Sequence, residues 1–386
     1  MVEPNAACGA DAQEMERARA CLIKVPATTA NLGPGFDILG LTLDLYNEVV
    51  VERLARGLTS GGMPDSDSLP VEIEIRGVGA AGGADQLPRG ADNLLVQALL
   101  AGWQLWQPGV SLPAVRLVCT NRVPPGSGLG SSSTAVVAGL VAAAWLAGRL
   151  PVNPAGPAED GWSRPGGSSK RSDSLLFLLR PEGVFRDLLD LGIALEGHPD
   201  NLAAALFGGL TAAAEIERQG VREWSVARVA PAGEVWAAVV TPRFVLRTSV
   251  SRSVLPKQVS WKDAVFNMAQ LSWLLLAAAA GDWQEVGAAM NDRLHQPYRV
   301  PLVPGLEQVL AASRAAGAWG AALSGSGPSV VALAPDRATA ERVAGAMQEA
   351  FAAAGVKATG LAVRAGVPGA LALFRPITGL LPLASG

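Results

Sequence analysis

The chain has 386 residues, a net charge of −3, 49% hydrophobic and 17% charged residues, which excludes a disordered chain and fits about two or three globular domains. Its two histidines, His198 and His295, and three cysteines, Cys8, Cys21 and Cys119, are too few and too scattered for a structural zinc site or a disulfide framework. The charge gives no electrostatic reason to expect nucleic acid as a partner.

In chain order, Met1–Ala20 mixes acidic and basic residues without an apolar stretch and reads as an extension, not a secretory signal. Cys21–Val25 reads as a short strand that stops at Pro26. Ala27–Asp37 follows as a tight loop in which Gly33 and Gly35 bracket Pro34. Glu48–Leu54 is Val-rich, and Gly57–Pro70 is a Gly/Ser/Asp/Pro stretch. Val71–Arg76 alternates apolar and charged residues, the period of a half-buried strand. Asp92–Trp106 reads as a helix with Asp92 at its cap, and Ala114–Thr120 as a strand. Ser131–Ala147 reads as a helix. Its uncharged run, Ala135–Ala147, falls short of the roughly 20 residues that cross a bilayer, so a buried core helix is expected. Pro151–Ser174 is a polar insert rich in Gly, Pro and Ser. Helices are expected at Phe185–Leu195 and Pro199–Leu206, with strands at Leu210–Ala214, Glu234–Thr241 and Val330–Ala334. Further helices are expected at Trp261–Ala280, Trp283–Arg293, Gly305–Ala316 and Arg337–Ala354, then a strand at Val356–Val363 and an apolar tail. Interspersed strands and helices imply mixed α/β or α+β layers.

The densest motif is Val123–Thr134, Val-Pro-Pro-Gly-Ser-Gly-Leu-Gly-Ser-Ser-Ser-Thr, between a strand and an apolar helix. Gly126, Gly128 and Gly130 admit a close backbone approach, and Ser131, Ser132 and Ser133 stand at the cap of a helix whose first N–H groups favour a phosphate. It is not a Walker A loop, because none of the five lysines follows a glycine. Gly77–Gly82 fits G-x-G-x-x-G, but no helix opens after it, so a dinucleotide fold is not expected. In Ala27–Asp37, Asn31 and Asp37 can bind a ligand's ammonium or serve only an Asx turn. In Glu196–Asn201, Glu196 can hold Mg²⁺ directly or through water. Asp200 can take a proton, support Asn201 or satisfy the helix start. Leu323–Ser329 is either a hairpin turn or a second Gly-rich loop beside the phosphates. Arg252 and Arg299 can each bind a carboxylate bidentately, but with 31 Lys and Arg in the chain either reads as a surface residue on numbers alone.

Pro26–Asp37, Pro124–Ser133 and Ser324–Ser329, in this order, resemble the three motifs of the galactokinase–homoserine kinase–mevalonate kinase–phosphomevalonate kinase superfamily. Ala30–Asp37, Glu196–Asn201, Thr248–Pro256 and His295–Arg299 resemble its homoserine kinase branch, and the likeness spans Cys21 to Val363. The resemblance implies an α+β, two-domain small-molecule kinase fold. It has an N-terminal ATP-binding domain (21–212) with a left-handed β-α-β unit, and a C-terminal ferredoxin-like domain (213–366). An extension (1–20), the insert (151–174) and a tail (367–386) add to it. It implies Mg²⁺- and ATP-dependent phosphorylation of the L-homoserine side-chain hydroxyl, in threonine biosynthesis, by a cytoplasmic enzyme with a homodimer as a family-level expectation.

Carried onto this chain, the resemblance makes Val123, Pro124, Pro125, Gly126, Ser127, Gly128, Leu129, Gly130, Ser131, Ser132 and Ser133 the phosphate loop and Asn93 an ATP contact. Ser132 and Glu196 would hold Mg²⁺. Asn31 and Asp37 would engage the substrate's amino end, Arg252 and Arg299 its carboxylate, and His198 would line the site. The catalytic set is Glu196, Asp200 and Asn201. Asp200 falls where mevalonate-type relatives carry a base, but the homoserine branch implies transfer without a dedicated one.

Overall fold

The computed structural model describes residues 19–54, 69–77, 87–150, 176–231 and 233–377. The expected extension up to residue 18, most of Gly57–Pro70, the Pro151–Ser174 insert and the tail beyond 377 lie outside the described residues.

Strands β1 (Ala20–Asn31) and β2 (Gly35–Arg53) form a long antiparallel hairpin. The strand expected to stop at Pro26 therefore continues to Asn31. A register shift between Pro26 and Ala27 absorbs the residue that cannot donate to the ladder. At the tip, Asn31, Leu32 and Gly33 all take positive φ, as does Asp37 just beyond. The loop expected over Ala27–Asp37 thus reduces to a three-residue turn between two strands.

Strand β3 (Val71–Gly77), helix α1 (Leu94–Trp106) and strand β4 (Val115–Asn121) make a β-α-β unit with parallel β3 and β4. Asn93, not Asp92, caps α1: its Oδ1 accepts from the N–H of Leu95 at 2.9 Å. Helix α2 (Ser131–Leu146) is buried on every side from Val136 onward, against α1 and β1. That burial explains its uncharged run. Strand β5 (Leu176–Leu179), helices α3 (Val184–Glu196) and α4 (Asp200–Phe207), and strands β6 (Leu210–Arg218) and β7 (Val221–Val229) complete this part. The strands run in the order β5-β7-β6-β2. The division expected at 212/213 falls inside β6.

The second part starts with β8 (Val235–Pro242). Helices α5 (Thr248–Ser253), α6 (Trp261–Ala280), α7 (Trp283–Ala288), α8 (Gln296–Arg299) and α9 (Leu306–Ala315) follow. It closes with β9 (Gly320–Leu323), β10 (Val330–Ala334), α10 (Arg337–Ala353) and β11 (Ala358–Ala365). The antiparallel order β11-β8-β10-β9 with a helix on each crossover is the ferredoxin-like arrangement. Ala237, Val239, Val331 and Leu333 face one apolar cluster, while Ala238, Val240, Val330 and Ala332 face another. Both faces are covered, so these strands read as continuous apolar runs.

One helix was expected over Trp283–Arg293, but α7 ends at Ala288. The Asp292 carboxylate instead collects the N–H groups of Leu294, His295 and Gln296 and sets up α8. Among the described residues α6 is the helix long and apolar enough to cross a membrane by length and composition, with 22% of its apolar window buried. The run singled out in the sequence, Ala135–Ala147, belongs instead to the core. Part of the tail packs on the start of β1: α11 (Ala370–Leu373) buries Leu371 and leads to β12 (Arg375–Ile377), antiparallel to β1.

Candidate active site

The Val123–Ser133 loop leaves β4 and enters α2 under tight constraint. The Asn47 carbonyl oxygen Oδ1 accepts from the N–H of Arg122 (2.8 Å) and of Val123 (2.9 Å), and its Nδ2 donates to Thr134 Oγ1 (2.8 Å). One buried side chain on β2 thereby ties both ends of the loop. Gly128 and Gly130 have φ of 82° and 69°. A Cβ at Gly128 would run into the carbonyls of Ser324 and Gly327, and one at Gly130 into Thr28 Oγ1. These two glycines therefore admit protein neighbours, and only by that packing shape the space left for a ligand.

Ser131–Ser133 do not cap the helix, contrary to expectation. Gly130 is the N-cap residue, without a side-chain cap bond. The serine hydroxyls go elsewhere: Ser131 Oγ donates to the Val123 carbonyl at 3.3 Å, and Ser132 Oγ and Ser133 Oγ donate to Glu196 Oε2 at 3.1 and 3.0 Å. The first N–H groups of α2 then lack intrahelical partners, as at any helix start. Burial raises the Glu196 carboxyl above the usual carboxylate range, opposed by the Ser133 hydrogen bond.

Leu323–Ser329 is both things the sequence allowed. It is the turn between antiparallel β9 and β10, and it packs on the Val123–Ser133 loop. Ser324 Oγ donates to the Gly128 carbonyl (2.7 Å), and the Ser329 N–H to the Ser127 carbonyl (3.0 Å). The Gly325 N–H reaches the Ala30 carbonyl at 3.1 Å, and Asn31 Nδ2 donates to the Gly325 carbonyl at 2.9 Å. The three motifs thus meet.

Between them lies a cavity of about 380 Å³. Asn31, Asp37, Asn93, Pro125, Gly126, Gly128, Ser131, Ser132, His198, Asp200, Asn201, Arg252 and Arg299 all line it. Val123, Pro124, Ser127, Leu129, Gly130, Ser133 and Glu196 are not among its lining residues. Asn93 has its side chain committed, to the Leu95 N–H and to the Pro88 carbonyl (2.6 Å). Around it the wall is apolar, with Val49, Ile75, Leu87, Pro88, Leu95 and Cys119.

At the other end, Asp200 is 2% exposed, and its Oδ1 meets His198 Nδ1 and the Asn201 N–H, both at 2.7 Å. That bond raises the His198 pKa above its ordinary value. Asn201 Oδ1 accepts from Thr28 Oγ1 at 2.7 Å. Arg252 and Asp37 form a bidentate pair at 2.9 and 2.7 Å. Arg299 is not a surface residue: it is 1% exposed. It donates to the Gly325 carbonyl (2.9 Å), the Ser251 carbonyl (3.2 Å) and His295 Nδ1 (3.2 Å). Burial, with Arg252 nearby, lowers its pKa to about 10.

His295 has no exposed surface. Its Nε2 donates to the Gly33 carbonyl at 2.7 Å, which leaves Nδ1 as the acceptor for Arg299. Phe36 stacks on its ring at 5.1 Å between centroids, and the guanidinium groups of Arg252 and Arg299 lie 5.5 and 5.3 Å from the Phe36 centroid. Asn47, Phe36 and His295 received no role from the sequence. Asn47 could have been found, as a lone amide inside the Val-rich β2; nothing local marks Phe36.

Residues 93–158 match the model of the GHMP kinases N-terminal domain, and residues 274–353 that of the GHMP kinases C-terminal domain. With the fold and the loop before α2, this defines a kinase of the GHMP class. Homoserine kinase of Moorella thermoacetica is 40% identical over 88% of this chain and 95% of its own length, and that of Trichormus variabilis 38% over 87% and 93%. The crystal structure of homoserine kinase from Cytophaga hutchinsonii superposes with a TM-score of 0.67 at 26% identity, over 90% of this chain and 95% of that one. Mevalonate kinase of L. major, with a TM-score of 0.60 at 17% identity over 90% and 96%, shares the fold. The chain belongs to the homoserine kinase family.

Proposed function

We propose that the cleft transfers the γ-phosphoryl group of ATP to the side-chain hydroxyl of L-homoserine, giving ADP and O-phospho-L-homoserine. The observation that carries this reading is the joining, in one cavity, of a Gly/Ser loop at a helix start with an acid and two arginines. The first serves a polyphosphate; the second serves an amino acid's two charges. The family relatives support the same substrate.

The roles follow from the geometry. The N–H groups at the start of α2 receive phosphate oxygens. The apolar wall around Asn93 takes the nucleotide's base. Ser132 and Ser133 offer two hydroxyls, each within 3.1 Å of one Glu196 carboxylate oxygen, hard oxygen donors that fit Mg²⁺ sharing its remaining positions with phosphates and water. Among the described residues no cluster of three or more His, Cys, Asp or Glu could hold a metal. Mg²⁺ there would neutralise phosphate charge. Asp37 and Asn31 take the substrate's amino end, and Arg252 and Arg299 its carboxylate. Asp200 orients His198, since its Oδ1 is committed to two donors. Catalysis then rests on positioning and charge neutralisation, without a dedicated base. The two halves divide near residue 230, because β6 and β7 pair with β2 and β5.

The test is ADP release under Mg²⁺ with L-homoserine beside mevalonate, galactose and L-serine. Homoserine-dependent turnover well above the other three is expected; equal or absent turnover with homoserine refutes the reading.

A further inference from the structure

The two groups assigned to opposite ends of the substrate are bound to each other. Arg252 Nη1 and Nη2 donate to Asp37 Oδ2 and Oδ1 at 2.9 and 2.7 Å. The two side chains are 38% and 34% exposed, open to the cleft, and an ion pair so solvated is weak enough to exchange partners. The backbone of Asp37 is held separately, at φ 57° with its N–H donating to Asn31 Oδ1 at 3.1 Å, so the carboxylate can change partner without the turn moving. Arg299 differs. It donates hydrogen bonds to two carbonyls and to neutral His295, and only 1% of it is exposed. One arginine of the site is paired directly with a carboxylate; the other is held in a fixed place by hydrogen bonds to neutral groups, with the charges of Asp37, Asp292 and Asp200 nearby.

We propose that the Asp37–Arg252 pair stands in for the zwitterion and acts as a charge filter. An α-amino acid binds by ion-pair exchange, its ammonium taking Asp37 and its carboxylate taking Arg252 with Arg299. One internal pair is replaced by two, and no charge is left alone. A ligand with a carboxylate but no ammonium must pull Arg252 away and leave Asp37 facing a second carboxylate. A ligand with an ammonium but no carboxylate strands Arg252 near Arg299, both guanidinium groups lying within 5.5 Å of the Phe36 centroid. Either outcome leaves a partly desolvated charge unpaired, which costs more than the missing contact itself. The inference rests on the homoserine reading above and extends it to the required substrate class, a zwitterion.

The test measures kcat/KM at saturating ATP for the wild type, Asp37→Asn and Arg252→Gln. The substrates are L-homoserine, 4-hydroxybutyrate (homoserine without its amine) and 3-aminopropan-1-ol (homoserine without its carboxylate). The exchange predicts a gain of function: Asp37→Asn should lose about 10²-fold with homoserine yet exceed the wild type about fivefold with 4-hydroxybutyrate, because Arg252 is already free. Arg252→Gln should do the same for 3-aminopropan-1-ol. The two variants are independent, so one that fails to fold leaves the other decisive. A gain in either arm supports the filter. If each variant loses its single-charge analogue in proportion to homoserine, Asp37 merely orients Arg252 and the filter is wrong. Absence of homoserine turnover in the wild type overturns the functional reading and the filter with it, and is distinguished by that control alone.

Discussion

The two ends of the cleft are built in opposite ways. The end proposed for phosphate is one contiguous stretch, residues 123–134, joined by the Glu196 carboxylate, and it offers mainly backbone N–H groups and short hydroxyls. The end proposed for the substrate draws Asn31 and Asp37 from around the β1–β2 turn, His198 from the turn between α3 and α4, Arg252 from α5 and Arg299 from α8. A polyphosphate needs many similar donors, which one helix start supplies. A zwitterion needs opposite charges held a few ångströms apart, and neighbouring residues on one chain segment rarely present them so. Local sequence suffices for the first task; the second requires segments far apart in the chain to converge.

If the ends are separable, substitutions at each should disturb different kinetic constants. The largest effect is expected for Glu196→Gln. It keeps an acceptor for both serines but removes the charge, and kcat should fall about 10²–10³-fold with the KM for homoserine nearly unchanged. The same variant should be more stable than the wild type at pH 7.5. The folded-state pKa of Glu196 is raised by burial, so its stabilising contribution is full below its ordinary pKa and lost as pH rises through the folded value. The gap in Tm between variant and wild type should therefore close as the pH is lowered, which a thermal melt series reads directly.

A smaller effect, at the other end, is expected for His295→Leu. The KM for homoserine should rise about tenfold, the loss of one hydrogen bond to a charged group, while kcat and the KM for ATP hold. His295→Asn, which can still present an oxygen near the Nδ1 position, should recover part of the loss. Equal damage from both substitutions would make His295 a core residue rather than a positioning one.

The smallest kinetic effect is expected for Asn47→Ala. Two buried N–H groups lose their acceptor, at a cost of about 1–3 kcal/mol in urea unfolding, with a few-fold rise in the KM for ATP. A rise in the KM for homoserine instead would show the ends to be mechanically one.

The legibility of the sequence follows the same division. β10 (Val330–Ala334) and α6 (Trp261–Ala280) fall where their patterns place them, since the first is bounded by turn residues and the second by Ser260 and Gly281 as caps. Cap and end positions were less readable. Asn93 displaced Asp92, and Gly130 displaced the serines, because each choice depends on what packs against the turn. Asp292 cut a helix short by capturing N–H groups ahead of it, an outcome that periodicity does not register.

The sequence by itself determined most of the helices, several strands, the Gly/Ser loop before α2 and the chemical inventory: an acid, an amide, a histidine pair and arginines in motifs. Helix starts, glycine turns and apolar periods are local properties, written into neighbouring residues. Only the tertiary structure decided that Arg299, one of many arginines, is buried against His295, that Arg252 closes on Asp37, and that both guanidinium groups lie beside the Phe36 ring. Burial and charge pairing depend on which distant segments meet. The hairpin tip, α5, α8 and the β9–β10 turn converge only once the ferredoxin-like sheet has joined β2 through Leu43 and Ala365.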